Sequence, residues 1–373
     1  MKEFFIDAGK VLLRFIYFFM KLLPQKNQIV MLSRESDSIP LDFELLEKEL
    51  NVRLPQYKVV MLCELLSSKE CSPVRVVLNT LKSMLLISQS RVCIIDTYCL
   101  AVSVLKHRKN LKVFQIWHAP GGLKKSGYVS LDKSGGHSSK TAKALCMHKN
   151  YDCVISCSDY CTSVYKDAFN CDESIIFKLG MPRIDYILSN CEKKRERLNR
   201  IIKKYPEISN GKINILYAPT FREGKVAYTE EILNTVDFSK YNLLMKIHDV
   251  EKKHNLPSNV ITVTERLVDL FGVCEYVITD YSATSIEAAV AGKKLFFYVY
   301  DIDDYMNERG LFINPLEEYP SLSSVTFSDI YKKIERCEYD ESALESFRRR
   351  TVETADNENS KRITEKICEE LEK

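Results

Sequence analysis

Four stretches of this chain gather cations, imidazoles and hydroxyls immediately after short apolar runs. The first is Trp117-His118-Ala119-Pro120-Gly121-Gly122-Leu123-Lys124-Lys125. An imidazole exchanges a proton near neutral pH, and Gly121 and Gly122 let backbone approach a ligand closely. A lone histidine after a strand is usually structural; a glycine-rich loop with Lys124 and Lys125 turns the reading toward chemistry. The second stretch is Ala218-Pro219-Thr220-Phe221-Arg222-Glu223, where the planar fork of Arg222 suits a phosphate. The third is Lys246-Ile247-His248, in which strand alternation puts Lys246 and His248 on one face. The fourth is Asp280-Tyr281-Ser282-Ala283-Thr284-Ser285-Ile286-Glu287. It follows an apolar run and opens a helix read over 282–291, so Ser282 and Thr284 stand where free N–H groups and the helix dipole favour an anion. Alone, the same spacing reads as a Ser/Thr cap. Three such loops in one half of the chain, with His118 in the other, point to a phosphorylated nucleotide ligand.

The elements that must position these loops follow an α/β rhythm. Strands are read at 29–32, 57–62, 92–95, 113–116 and 154–155, then at 213–217, 243–247, 260–261, 276–278 and 295–299. Helices are read between them, at 42–50, 74–87, 139–148 and 160–169, and again at 328–337, 341–351 and 359–371. Strands alternating with helices imply parallel sheets covered on both faces. The expected organisation is an amphipathic helix over 1–24, a Rossmann-like domain over 25–185, a basic interdomain helix over 186–210, a second Rossmann-like domain over 211–340, and closing helices over 341–373. The two domains are expected to face each other across a cleft. Ligands of open α/β sheets bind beyond the carboxyl ends of the strands, where all four loops fall.

Composition sets bounds. The 373 residues carry a net charge of +3, too small to argue for nucleic acid, and 45% hydrophobic residues, as in a globular protein. The 13 cysteines are scattered through apolar runs, the usage of a reducing compartment. Cys153, Cys157 and Cys161 follow His148, but no Cys-x-x-Cys pair is present, and no metal is expected. Asp301-x-Asp303 reads as helix-start acids rather than metal ligands. At the N-terminus Glu3, Asp7, Lys10, Arg14, Tyr17 and Lys21 form one helical stripe among aromatic and aliphatic residues. Its recurring charges argue against a spanning helix, and no cleavage site marks a signal peptide. The segment reads as a helix packed on its own domain or, preferred here, one lying in a membrane interface with Lys10, Arg14 and Lys21 near anionic head groups.

Taken in order, these residues resemble a known family. Trp117-His118 with Leu123-Lys124-Lys125-x-Gly127, Gly180-x-Pro182-Arg183-x-Asp185, Pro219-Thr220-Phe221-Arg222, Lys246-x-His248, Asp280-Tyr281-Ser282, and Tyr300-Asp301 with Tyr305 and Arg309-Gly310 are similar to motifs of the CDP-glycerol:glycerophosphate glycerophosphotransferases, the teichoic-acid and capsule polyol-phosphate transferases. The resemblance runs from about residue 28 to 315. It implies a GT-B-type fold of two Rossmann-like domains, a peripheral enzyme of the cytoplasmic membrane face, CDP-glycerol or CDP-ribitol as donor, and a lipid-linked polyprenyl-diphosphate acceptor. It implies functional roles for His118 and His248; separately, the site holds enough cations to work without a metal, and no cofactor is expected. The chain departs from the family pattern at Ala119-Pro120-Gly121, Ala283 and Glu287, which leaves acceptor and donor polyol open.

The expected reaction moves a polyol phosphate from a CDP-polyol to an acceptor hydroxyl and releases CMP. His118 is assigned as general base, a role worth ~100- to 10,000-fold. His248, Lys246, Arg222, Thr220, Asp280, Ser282 and Thr284 are assigned to the donor phosphates. Glu287 is placed on the ribose or nucleotide by fold analogy, and Gly121, Gly122, Lys124 and Lys125 in the acceptor loop. The competing readings are a sugar-nucleotide glycosyltransferase or epimerase of the same fold and a non-catalytic nucleotide-binding scaffold.

Overall fold

Apolar runs such as Gln28-Ile29-Val30-Met31-Leu32-Ser33 bury every residue, which in an α/β chain requires a strand covered on both faces. The computed structural model describes residues 2–66, 71–134, 136–220, 230–246 and 256–373, with side chains from residue 6 onward. Two units divide the chain. One holds Met1–Pro120, Lys125–Asp185 and Asp356–Lys373, and the other Gly121–Lys124 and Tyr186–Ala355.

The first unit contains α1 (Lys2–Met20), β1 (Gln28–Ser33), α2 (Leu41–Arg53), β2 (Lys58–Cys63), α3 (Pro73–Gln89), β3 (Val92–Ile95), α4 (Leu100–Ser103), β4 (Lys112–Gln115), α5 (Ser139–Ala144), β5 (Cys153–Ser156), α6 (Asp159–Phe169), β6 (Ile176–Lys178) and the start of α7 (Pro182–Leu188). Its strands pair in the order β2-β1-β3-β4-β5-β6, all parallel. Ile29 pairs with Val59 on one side and Val92 on the other. The carboxyl ends of β1, β3 and β4 therefore lie side by side.

The second unit contains α8 (Glu192–Lys204), β7 (Ile213–Tyr217), α9 (Glu230–Thr235), β8 (Tyr241–Met245), β9 (Val260–Thr262), α10 (Leu267–Leu270), β10 (Tyr276–Thr279), α11 (Thr284–Val290), β11 (Lys294–Tyr298), α12 (Ile302–Glu308), α13 (Pro315–Glu318), β12 (Ser323–Ser324), α14 (Phe327–Glu335) and α15 (Glu341–Thr351). Its parallel sheet has the order β12-β11-β10-β7-β8-β9. The loops after β10, β7 and β8 are thus neighbours.

The last helix, α16 (Asn359–Glu372), returns to the first unit. Ile363 and Ile367 enter the core formed by Ile29, Met31, Phe43, Leu46 and Phe114. Asp185 holds the helix N-terminus: its carboxylate accepts from Asn359 N (2.9 Å) and Nδ2 (2.6 Å) and from Ser360 N (2.8 Å) and Oγ (2.6 Å). The closing helices expected as one set over 341–373 are therefore split between the units. The basic helix expected to connect the domains groups with the second unit, where Arg197 pairs with Asp269 at 3.6 Å.

Helix α1 forms, but its polar stripe faces the protein. Arg14 Nε donates to Val104 C=O (3.1 Å) and Lys21 Nζ to Lys106 C=O (2.9 Å). The Tyr17 hydroxyl donates to His107 Nδ1 (2.9 Å), the nitrogen left unprotonated because Nε2–H donates to Val102 C=O (2.7 Å). Lys10 pairs with Asp7. This corrects the placement of Arg14 and Lys21 near head groups: carbonyls around the end of α4 offer them acceptors. Val11, Leu12, Phe15, Phe18, Phe19 and Leu22 are exposed instead, by 52–71%. α3, packed beside α1, does the same, exposing Val74, Val77 and Leu78 while burying Asn79, Thr80, Ser83 and Ser88. No described helix is long and apolar enough to cross a membrane.

Candidate active site

In the first unit, the end of β4 delivers His118. Buried Gln115 organises the turn: its Nε2 donates to Thr97 C=O (3.1 Å) and to the Tyr151 hydroxyl (3.3 Å), and its Oε1 accepts from Trp117 N (2.9 Å). Trp117 sits in the left-handed region at φ 59°, a conformation costly for a bulky residue and kept only where surroundings impose it. Its ring lies against Phe169 (5.1 Å) and His118 (4.5 Å). His118 Nδ1 lies 3.1 Å from Asp96 C=O. A carbonyl only accepts, so Nδ1 carries the proton and Nε2 presents a lone pair. Burial, with help from Arg183, holds the imidazole below its ordinary range, while Glu35 and Asp42 pull the other way. Burial therefore favours the neutral form of the ring.

Two residues here were missed in the sequence. Asp96 follows β3, is 3% exposed, and has no partner for Oδ1. Burial pushes its carboxyl up to about 7; Glu35 and Asp42 add to the rise and Ser33 opposes it. Asp42, at the start of α2, is buried and accepts from Arg183 N (2.9 Å) and Nε (2.9 Å). Arg183 belongs to the Gly180-x-Pro182-Arg183-x-Asp185 element, whose acid and base thus anchor α16 and α2. His148 is a core ring: it packs on Phe169 (4.5 Å), bonds the Tyr151 hydroxyl (2.9 Å), and is driven down to about 3 by burial.

The loop after His118 then passes to the second unit over Gly121–Lys124. Gly121 has φ 62°, and Leu123 C=O accepts from Phe312 N (2.7 Å). Lys124 Nζ donates to Thr220 Oγ1 (2.9 Å), which donates to Asp280 Oδ1 (2.7 Å). Asp280, 1% exposed, also accepts from Thr220 N (2.9 Å) and Ser282 N (3.2 Å). Lys124, Thr220, Asp280 and Ser282 therefore form one chain of contacts, with Asp280 as its anchor. Ser282 Oγ lies 2.9 Å from Thr284 Oγ1. Glu287 is buried within α11. Gly122 is buried too, and Lys125, half-buried, belongs to the first unit. β8 ends at Met245, so Lys246 stands beyond the strand and donates to Thr264 C=O (2.7 Å). Arg222 and His248 lie outside the described residues. Gly127 closes the loop at φ 58°, where an added Cβ would lie 2.1 Å from Ala168 O.

Two parallel six-stranded units define a fold of the GT-B type; the first carries an oriented imidazole, and the second a lysine–hydroxyl cluster beyond the carboxyl ends of its central strands. The sequence profile of the CDP-glycerol:poly(glycerophosphate) glycerophosphotransferases matches residues 15–369, and the chain belongs to that family. It is 28% identical over 362 residues to the teichoic acid ribitol-phosphate primase of Bacillus spizizenii, covering 93% of this chain and 92% of the relative. It is 29% identical over 269 residues to the teichoic acid glycerol-phosphate primase of Bacillus subtilis, covering 69% and 68%. The wall teichoic acid polymerase TagF has the same fold, with a TM-score of 0.76 at 19% identity over 100% of this chain and 98% of that one. The UDP-GlcNAc 2-epimerase of Neisseria meningitidis is more distant, with a TM-score of 0.60 at 14% identity over 92% and 99%.

Proposed function

We propose that this enzyme transfers glycerol phosphate or ribitol phosphate from the corresponding CDP-polyol to a hydroxyl of a lipid-linked polyprenyl-diphosphate acceptor, releasing CMP, in teichoic-acid synthesis. The observation that carries the reading is the Nδ1–H bond from His118 to Asp96 C=O, which leaves Nε2 as a base. The acceptor hydroxyl gives its proton to Nε2 as its oxygen bonds to the polyol-bearing phosphorus. The bond from that phosphorus to the bridging oxygen breaks, and CMP leaves with the electron pair. Glu35 and Asp42 favour the imidazolium that results. Lys124, expected in the acceptor loop, reaches Thr220 and is here assigned, with the hydroxyls of Thr220, Ser282 and Thr284 and with Arg222, Lys246 and His248, to the donor phosphates.

The lipid-linked acceptor sets where the enzyme works. The outward apolar faces of α1 and α3 support peripheral binding to the cytoplasmic membrane surface. The test is CMP release from CDP-glycerol and CDP-ribitol with a lipid-linked glycerophosphate acceptor. Release from one donor that falls by ~100-fold or more in His118→Gln is expected. No release from either, with UDP-sugars consumed instead, overturns the reading.

A further inference from the structure

Strand β4 ends beside β3 with Gln115 opposite Ile95, and Ile116 N donates to Ile95 C=O (2.9 Å) in the last rung between them. Beyond that rung one chain carries His118 and the other Asp96. Among the described residues two side-chain bonds join these arms. One is His118 Nδ1 to Asp96 C=O (3.1 Å), and the other is Gln115 Nε2 to Thr97 C=O (3.1 Å). The backbone ladder has stopped, so side chains set the spacing of the arms.

Gln115 is fully buried, and its amide can point only one way. Trp117 N can only donate and Thr97 C=O can only accept, so Oε1 lies toward Trp117 and Nε2 toward Thr97. The second N–H of Nε2 goes to the Tyr151 hydroxyl (3.3 Å), whose own proton then goes to His148 Nδ1 (2.9 Å). One planar group therefore grips the residue before His118 and the residue after Asp96. It grips Trp117 where the backbone is strained, at φ 59°, a conformation that persists only where its surroundings impose it. Leaving any of these bonds unmade would strand a buried polar group, which favours the full set. We infer that Gln115 is the positioning residue of the general base, setting the His118 ring against the Asp96 carbonyl and so the direction in which Nε2 presents its lone pair. Fully buried, it reaches no substrate and acts through His118. The inference rests on the reading of His118 as the base.

The variants Gln115→Met and Tyr151→Phe separate positioning from packing in the full chain. Met is close to Gln in length, so it fills the site, but it offers nothing to Trp117 N or Thr97 C=O. Phe removes the Tyr151 hydroxyl and leaves both of those bonds in place. For CMP release per folded enzyme, kcat is expected to fall about tenfold or more in Gln115→Met, with donor and acceptor KM within about twofold of wild type. Gln115→Glu keeps an oxygen for Trp117 N but sets another against Thr97 C=O, and the same loss is expected of it. Tyr151→Phe is expected to melt lower and to keep kcat within about threefold. Equal losses of kcat in Tyr151→Phe and the Gln115 variants, or a raised KM with kcat unchanged in Gln115→Met, overturn the inference. Nitrogen-15 NMR of labelled histidine reads the ring directly, with His118→Gln assigning the signal. Wild type is expected to hold His118 as the single Nδ1–H tautomer, and Gln115→Met as a mixture of both tautomers. The same single tautomer in both proteins overturns the positioning role, whether or not any CDP-polyol is turned over. Tautomers that differ in a wild type releasing no CMP would uphold the positioning of the ring and remove the transferase reading.

Discussion

Asp96 spends its main-chain carbonyl on His118 and keeps its carboxyl out of water with one oxygen unpaired. A buried carboxyl favours its neutral form, so the folded chain holds a proton that the unfolded chain gives up above about pH 4. Stability from this group is present at low pH and is lost as pH rises to about 7. Asp96→Asn should therefore be more stable than wild type at pH 8, by on the order of 4 kcal/mol, with the gap narrowing toward pH 4. Parallel melting curves at all pH values would show that the carboxyl is not strained. His118 is shifted the other way, so kcat/KM should stay flat through pH 7 and fall only below the ordinary histidine range near ~6.5. An acid limb centred above pH 7 would contradict the environment described for the ring. His118 was legible in the sequence because a histidine in a glycine-rich loop after a strand is conspicuous. Asp96 was not, because it acts through its backbone and lies 22 residues away.

Among the elements, α1 separates what periodicity can and cannot say. The polar stripe was readable, and its direction was not. Stripe and aromatic face are equally amphipathic, and only the carbonyls of Val104 and Lys106 decide which turns inward. Replacing Phe15, Phe18 and Phe19 together with Ser should lower recovery on anionic vesicles while leaving the melting temperature in place. Tyr17→Phe should instead cost about 1 kcal/mol through the lost His107 bond, with vesicle binding intact. A reversal of these two outcomes would restore the head-group role for the stripe. The Gly127 turn offers a second check. Gly127→Ala meets both a positive φ and the Ala168 carbonyl, so activity should be lost with a clear drop in melting temperature. The strands β6 and β12 escaped the sequence reading because Ile176-Phe177-Lys178 ends on an exposed lysine and Ser323-Ser324 has no apolar residue to mark a strand.

For the whole molecule, the α/β rhythm announced two doubly wound sheets, and both are present. The membership of single segments could not be read that way. Asp185 reaches Asn359 across 174 residues, a contact that no local period encodes. Removing residues 356–373 should strip Ile363 and Ile367 from the first core, at roughly 1.5–3 kcal/mol for each buried side chain. The shortened chain is expected to bind CDP-glycerol but to release no CMP; wild-type turnover would show that α16 is dispensable.

The return of α16 also sets an order for biosynthesis. A ribosome delivers β1 to β6 and then the entire second unit before the helix that completes the first sheet's covering exists. Through that interval Phe43 and Leu46 wait beside an uncovered seam, and the Asp185 carboxylate has nothing to hold. The nascent half carrying His118 therefore keeps that apolar seam open until α16 has been made.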